Sequence, residues 1–224
     1  MNVSGCIQLV LFVGVLSALT KPMGVYLTKV LDPQGHTFLD GLFGPLERGI
    51  YRLAGIDRAV DQTWKQYGLS LGVFSLIGML LTYAVLRLQH VLPLNPQGFG
   101  PMSPDLAFNT AVSFTTNTNW QNYGGESTLS YLSQMVALTL HNYTSAAVGI
   151  GVAAVFVRGL ARHTAKTVGN FWVDIVRVTL YVFLPMCLVY ALFLVSQGVV
   201  QNSDKYVMAQ PVEHVTDAVQ QTIA

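Results

Sequence analysis

Four apolar runs, two basic connections and one uncharged polar insertion organise this chain. The first run extends from about Cys6 to Val30 and is broken by Lys21 and Pro22; the second, Tyr67 to Leu86, carries no charge. The third is free of charge from Ser127 to Val157, and the fourth runs from about Val178 to Val200 and contains Pro185. A crossing helix needs about 20 mainly apolar residues, so all four are expected to span a bilayer. As one helix the third run would reach about 46 Å, which a tilt or a polar first turn accommodates. Its Gly149 and Gly151, with Ala146, Ala147, Ala153 and Ala154, form a small-residue face that lets helix backbones approach closely.

Between the second and third runs lies SPDLAFNTAVSFTTNTNWQNYGGES, residues 103 to 127, too short and too polar to span. Ser103-Pro104-Asp105 reads as a helix start, with an N-cap serine, proline at the first helical position and an acid in the first turn. The next ten residues give two to three turns with Leu106, Ala107, Ala111 and Phe114 on one apolar side. An oxygen-rich turn comes next at Thr116, Asn117, Thr118 and Asn119, and the exit passes through Gly124 and Gly125. Non-helical backbone at membrane depth is tolerated only where protein buries it or it lines a watery cavity. The expected fold is therefore an all-α membrane protein of four transmembrane helices plus one re-entrant pore helix with a filter loop.

That arrangement points to an ion-conducting subunit. The C-terminal end of a half-inserted helix carries about half a negative charge, which selects cations. Threonine and asparagine offer neutral oxygens, which suit a weakly hydrated monovalent ion whose shell carbonyls replace. No carboxylate lies between Asp105 and Glu126, so the divalent-ion pattern is absent there. Trp120 is expected to wedge the loop against a neighbouring helix, and Gln121 either lines the mouth or braces the loop. The competing reading is an ordinary surface loop with a Thr/Asn-rich turn.

Composition agrees with a membrane chain. Of 224 residues, 52% are apolar and 10% charged, against about 25% charged in soluble domains. A net charge of +1 gives no reason to propose nucleic acid as a partner. Charge placement is more telling. Lys21, Lys29, Arg48, Arg52, Arg58 and Lys65 surround the first connection; Arg158, Arg162, Lys166 and Arg177 surround that between the third and fourth runs. Only Arg87 and Lys205 remain, so both connections are expected in the cytoplasm and the N-terminus outside it. In the first connection, Ile50, Leu53, Ala54 and Ile56 alternate with Arg48, Arg52 and Asp57, as in a short surface helix.

Other candidate chemistry is sparse. Cys6 and Cys187 lie in apolar runs and make neither a disulfide framework nor a metal site. His141-Asn142, mid-span, reads as hydrogen-bonding glue to a neighbouring helix. Asp174 and Arg177, three apart, are expected to pair along one helix, with Arg177 snorkelling to the interface. Asn2-Val3-Ser4 and Asn142-Tyr143-Thr144 match glycosylation sequons by chance. Neither a phosphate loop nor a zinc-peptidase motif is present, so no catalytic site is expected. The tail EHVTDAVQQTIA has weak helical periodicity and stops without a cap, as a cut chain would.

Trp64-Lys65-Gln66-Tyr67, QHVLPLNPQ at 89 to 97, DLAFNTAVSFTTNTNWQNYGGESTLSYLSQM at 105 to 135 and GNFWVDIVRVTL at 169 to 180 together resemble the potassium-binding A subunit of the bacterial Kdp potassium-transporting P-type ATPases. The resemblance implies a potassium-channel-like chain of four helix–pore–helix repeats behind an extra first helix. It implies potassium as transported ligand, no covalent cofactor, and membrane lipid around the spans. ATP would be hydrolysed by a partner B subunit, with C and F subunits completing a complex in the bacterial inner membrane. Thr116, Asn117, Thr118 and Asn119 would be the filter of the first repeat, with Gln121 beside it.

On that basis residues 1–30 are expected to be the extra helix and 31–65 a cytoplasmic connection. Residues 66–158 form the first repeat, 159–177 a second connection, and 178–224 the first helix of the next repeat with an extracytoplasmic tail. The chain matches only the N-terminal two-fifths of such proteins, which reads as a truncated or split product. One loop supplies one quarter of a four-sided filter. The alternatives are a passive channel of four such chains, each giving one loop, and a remnant that conducts nothing.

Overall fold

The computed structural model describes residues 3–32, 34–161, 166–200, 202–208 and 222–223. Among these, four helical segments are long and apolar enough to cross a membrane: Ser4–Leu31, Trp64–Leu88, Ser133–Ala161 and Phe171–Ser196. The all-α membrane architecture is as expected. The chain divides into two compact units, Met1–Tyr67 with Gly151–Met186, and Gly68–Ile150 with Cys187–Ala224.

The first unit holds helix α1 (Val3–Leu31), helix α2 (Asp40–Ala54), strand β1 (Gln62–Thr63) and the opening of helix α3 (Trp64–Leu88). Lys21 and Pro22 interrupt the apolar run but not the helix, which continues through both. Two arginines finish it. The last carbonyls of a helix lack internal partners and carry partial negative charge. Here Val30 O accepts from Arg177 Nε at 2.6 Å, and Leu31 O from Arg158 Nη2 at 2.5 Å.

Both arginines are also ion-paired, which corrects the expectation that Asp174 pairs with Arg177. Asp174 is held by Arg158 through two bonds of 2.6 and 2.9 Å and receives the Tyr67 hydroxyl at 3.1 Å. Arg177 is 2% exposed rather than snorkelling, and its Nη1 meets Glu47 Oε1 at 3.2 Å. The Glu47 carboxylate also accepts the hydroxyls of Tyr51 at 2.9 Å and Tyr181 at 2.6 Å. Burial, with the Glu47 carboxylate beside it, pushes the Tyr51 phenol well above its usual range.

This pairing also sets which face of α2 is buried. The helix turns Gly44, Glu47 and Tyr51 inward and leaves Leu53 and Ala54 exposed. A buried glutamate would be too costly alone, but a distant arginine neutralises it. Asn170 then caps helix α7 (Phe171–Arg177), its side chain accepting from the amides of Trp172 and Val173. The fourth span therefore starts at Phe171, not Val178. A wide π-helical stretch, Val178–Phe183, leads into helix α8 (Leu184–Ser196). Pro185 has no N–H to offer the carbonyl four residues back. That carbonyl, of Tyr181, accepts the Tyr26 hydroxyl at 2.6 Å instead. Strand β1 pairs antiparallel with strand β2 (Thr167–Gly169), joining the two connections.

The second unit contains the rest of α3, helix α4 (Pro104–Thr115), the short helix α5 (Gly125–Thr128), and the third span through Ile150. That span opens as a π-helical stretch, Ser133–Thr139, and continues as helix α6 (Leu140–Ala161), so its helix begins six residues later than Ser127. Val85, Leu86, Met102, Ala107, Phe114, Leu129, Ala137 and Leu138 form its apolar core. His141 Nδ1 lies 3.0 Å from the Thr82 hydroxyl of α3, the inter-helical glue expected of it. Gly78 makes room for the imidazole: a Cβ there would stand 2.8 Å from His141 Cε1.

Arg162 and most of the tail after Met208 lie outside the described residues, as does Asn2 of the first sequon. Within that tail Thr222–Ile223 is a strand paired with Val207–Met208, not helix. Cys6 and Cys187 are both free and exposed.

Removing one partner of a buried ion pair leaves an uncompensated charge, at a cost of about 3–5 kcal/mol. Arg177→Met is expected to destabilise the chain by about that amount. Arg177→Met combined with Glu47→Gln should regain part of the loss, the backbone carbonyls that Arg177 serves staying unanswered, read by thermal unfolding in detergent. Additive losses in the double variant would contradict the pairing.

Candidate functional site

The insertion is built downward from the end of α3. Past Leu88 the chain turns and returns alongside that helix, where Met102 N donates to Leu86 O at 3.2 Å and Arg87 Nη1 donates to Met102 O. Asn95 shapes the turn, its Nδ2 donating to Gln89 O and Phe99 O while its Oδ1 accepts from Phe99 N. Buried Gln89 ties the entry of the insertion to its exit. Its Nε2 donates to Gly100 O at 2.6 Å and Thr128 O at 2.9 Å; its Oε1 accepts from Ser130 N at 3.1 Å and Ser133 Oγ at 3.0 Å.

Helix α4 starts at Pro104, with Ser103 at the N-cap as expected, but the serine hydroxyl does not accept from the helix. Asp105 supplies the acid of the first turn. Hydrogen bonds from the Ser103 hydroxyl and from the amides of Asp105 and Leu106 hold its carboxyl below the usual carboxylate range, so it stays ionised at the positive end of the helix. Ala107, Ala111 and Phe114 are buried, as the apolar side requires, together with Thr110 and Ser113. The helix runs back along α3 from the level of Leu86. Its last residue, Thr115, shares a cavity of about 220 Å³ with Phe74, Gly78, Leu81 and His141. The polar turn after it reaches Ser145, near the middle of Ser133–Ala161, whose hydroxyl donates to Asn117 Oδ1 at 3.3 Å. Helix α4 thus stops half-way along its neighbours.

Beyond Thr115 the backbone forms an ordered curl. Asn117 N donates to Phe114 O at 3.2 Å, Thr118 N and Asn119 N to Ser113 O at 2.9 and 3.3 Å, and Trp120 N to Ser113 Oγ at 2.6 Å. A trans peptide sets its C=O opposite its N–H. With these four N–H groups aimed at the last turn of α4, the carbonyls of Thr116, Asn117, Thr118 and Asn119 point away from it. Among the described residues none of the four accepts a hydrogen bond. The curl needs left-handed backbone at Asn117, φ 58°, and Asn119, φ 56°. Asparagine is among the few side chains that tolerate that region, which gives the Thr-Asn-Thr-Asn order a steric reason.

The side chains are placed unequally. Thr116 Oγ1 and Thr118 Oγ1 lie 3.0 Å apart, and Thr116 Oγ1 also donates to Val112 O at 3.0 Å. Gln121 turns to Tyr123, donating from Nε2 to its hydroxyl at 3.1 Å. Burial raises the pKa of that phenol. All of Thr116 to Gln121 is solvent-exposed. Trp120 is 53% exposed and does not wedge the loop; its backbone N–H, not its ring, anchors it. Sequence reasoning missed Ser113 and Gln89. A serine in the last turn of α4, and a glutamine just past a span, were their only signals.

The family described as the potassium-transporting ATPase A subunit matches residues 10–224. Among curated relatives, a potassium-transporting ATPase potassium-binding subunit of Rhodospirillum centenum is 58% identical over 214 residues, covering 95% of this chain and 37% of its own length. The protein of that name from Burkholderia mallei is 54% identical, over 92% of this chain and 34% of its own length. That from Methylorubrum populi is 53% identical over the whole chain and 38% of its own length. The chain therefore spans little more than a third of these relatives.

Ser113→Ala removes the acceptor of Trp120 N, a hydrogen bond of about 1 kcal/mol. Amide exchange at Trp120 is expected to quicken about fivefold, and Ser113→Thr to restore it. Unchanged exchange in the alanine variant would show that the serine does not hold the curl.

Proposed function

Because this chain belongs to the family of potassium-transporting ATPase A subunits, we propose that it carries potassium-selecting machinery of an ATP-driven uptake complex. The observation supporting this is the row of four unpaired carbonyls, Thr116 to Asn119, whose amides are all tied to the end of α4. In a water-poor site such carbonyls replace the hydration shell of a weakly hydrated cation. The negative end of the α4 dipole, aimed at the same place, favours cations over anions. In this reading Thr116, Asn117, Thr118 and Asn119 bind potassium as transported substrate. Gln121 stands beside them and steadies the outer loop through Tyr123.

The rest of the ion path, and the energy, come from elsewhere. One loop lines one side of a four-sided filter. Three more are supplied by further sequence of the subunit or by further copies. A B subunit hydrolyses ATP and C and F subunits complete the complex, so this chain's contribution is binding rather than hydrolysis. The complex sits in the bacterial inner membrane, with the N-terminus of this chain and its filter loop opening to the outside.

Asn117→Asp in the complete subunit puts a fixed charge where neutral oxygen selects. Discrimination of potassium against sodium is expected to fall about tenfold, the equivalent of about 1.4 kcal/mol, as measured by competitive uptake. Unchanged relative uptake of potassium, rubidium and sodium would remove Asn117 from the filter. A cysteine variant at Thr118 is expected to react with membrane-impermeant thiol reagents from outside only. Labelling from the cytoplasmic side would reverse the proposed orientation.

A further inference from the structure

Helix α2 has three faces. Gly44, Glu47 and Tyr51 pack inward. Leu42, Leu46 and Leu53, in one helical stripe, are 68%, 50% and 90% exposed. Arg48 and Arg52, exposed, lie on the flank between these two faces.

Three observations say what covers the leucines. The first is depth. Helix α2 belongs to the connection between two consecutive spans, ending at Leu31 and starting at Trp64. Its Glu47 shares the Arg177 guanidinium with Val30 O, so it is held at the end of α1. The second is continuity. The crossing helix α1 exposes Val25 and Met23, and the Tyr26 ring beside them lies 5.7 Å from that of Phe38, itself 83% exposed and four residues before Leu42. Exposed apolar side chains therefore continue from a lipid-spanning helix towards the α2 stripe. The third is charge. Arg48 and Arg52 edge that stripe, and Trp64, 68% exposed with Lys65 Nζ 5.6 Å from its ring centroid, marks the start of the next span. Exposed tryptophan and basic residues are the usual markers of headgroup level.

We propose that α2 is an interfacial helix lying on the bilayer: Leu42, Leu46 and Leu53 enter the acyl boundary, and Arg48 and Arg52 bind the phosphates of anionic lipids. Apolar and basic faces set side by side are how such helices bind membranes. The buried Glu47–Arg177 pair fixes which way the leucine stripe faces.

The test places an environment-sensitive fluorophore on Leu53→Cys, with Cys6 and Cys187 changed to serine. The whole chain is reconstituted in vesicles containing brominated phosphatidylglycerol or brominated phosphatidylcholine. Strong quenching is expected, with preference for the anionic lipid falling roughly fivefold per arginine in Arg48→Gln and Arg52→Gln. A water-like spectrum without quenching would place the leucines in solvent and overturn the proposal. A blue-shifted probe quenched by neither lipid would show protein covering the face instead. Equal quenching by both lipids, unaffected by the arginine variants, would remove the headgroup role.

Discussion

Backbone polar groups inside a bilayer must find partners within the protein, and the segment after α4 meets that demand in a one-sided way. Its N–H groups are all answered by the end of the helix it leaves, most of them by Ser113. Its carbonyls are answered by nothing in the described chain. The asymmetry follows from planar peptides and two left-handed asparagines. It leaves a row of acceptors that a cation, water or another hydrogen-bond donor can satisfy. A loop with its donors free instead would attract anions. In the proposed reading, the sign of the ligand follows from which half of each peptide the helix end consumes.

That curl is useful only if its depth is fixed, and depth is set by polar groups remote from it. Gln89 holds the entry and exit of the insertion together through one amide. Arg87 and Asn95 secure the turn above α4. Below, the contact between Thr82 and His141 and the gap at Gly78 set how closely α3 and the third span approach. Replacing Gln89 by an apolar residue would leave the buried Ser130 amide without its acceptor, at a cost of about 1–3 kcal/mol, and untie the entry limb at Gly100.

Much of this was legible in the sequence because it is local. Charge-free runs mark the spans, and Ser103-Pro104-Asp105 with the Ala107, Ala111 and Phe114 side marks α4. Non-local contacts were not legible. Arg158 and Arg177 read as interface charges because their partners, Leu31, Val30 and Glu47, lie 127 to 147 residues away. The inward turn of Glu47 on α2 was not legible because Arg177, which meets its carboxylate at 3.2 Å, belongs to the fourth span. Ser113 was invisible for another reason: its role exists only once the backbone beyond it has curled back. Proline positions were readable, but not their remedies, such as the Tyr26 hydroxyl that serves the carbonyl freed by Pro185.

The clasp between Glu47 and Arg177 has a consequence for biogenesis. The two residues are 130 apart in the chain. Synthesis at about 5–20 residues per second leaves the carboxylate waiting roughly 7–26 s for its guanidinium. During that interval Arg58, 3.9 Å from Glu47 Oε1 in the folded chain, is the guanidinium that the first loop itself offers, and the closer bond to Arg177 forms only when the fourth helix arrives. Insertion of the early spans and their final packing are then separate events, and the nascent chain passes through a stage with threaded helices but an open clasp.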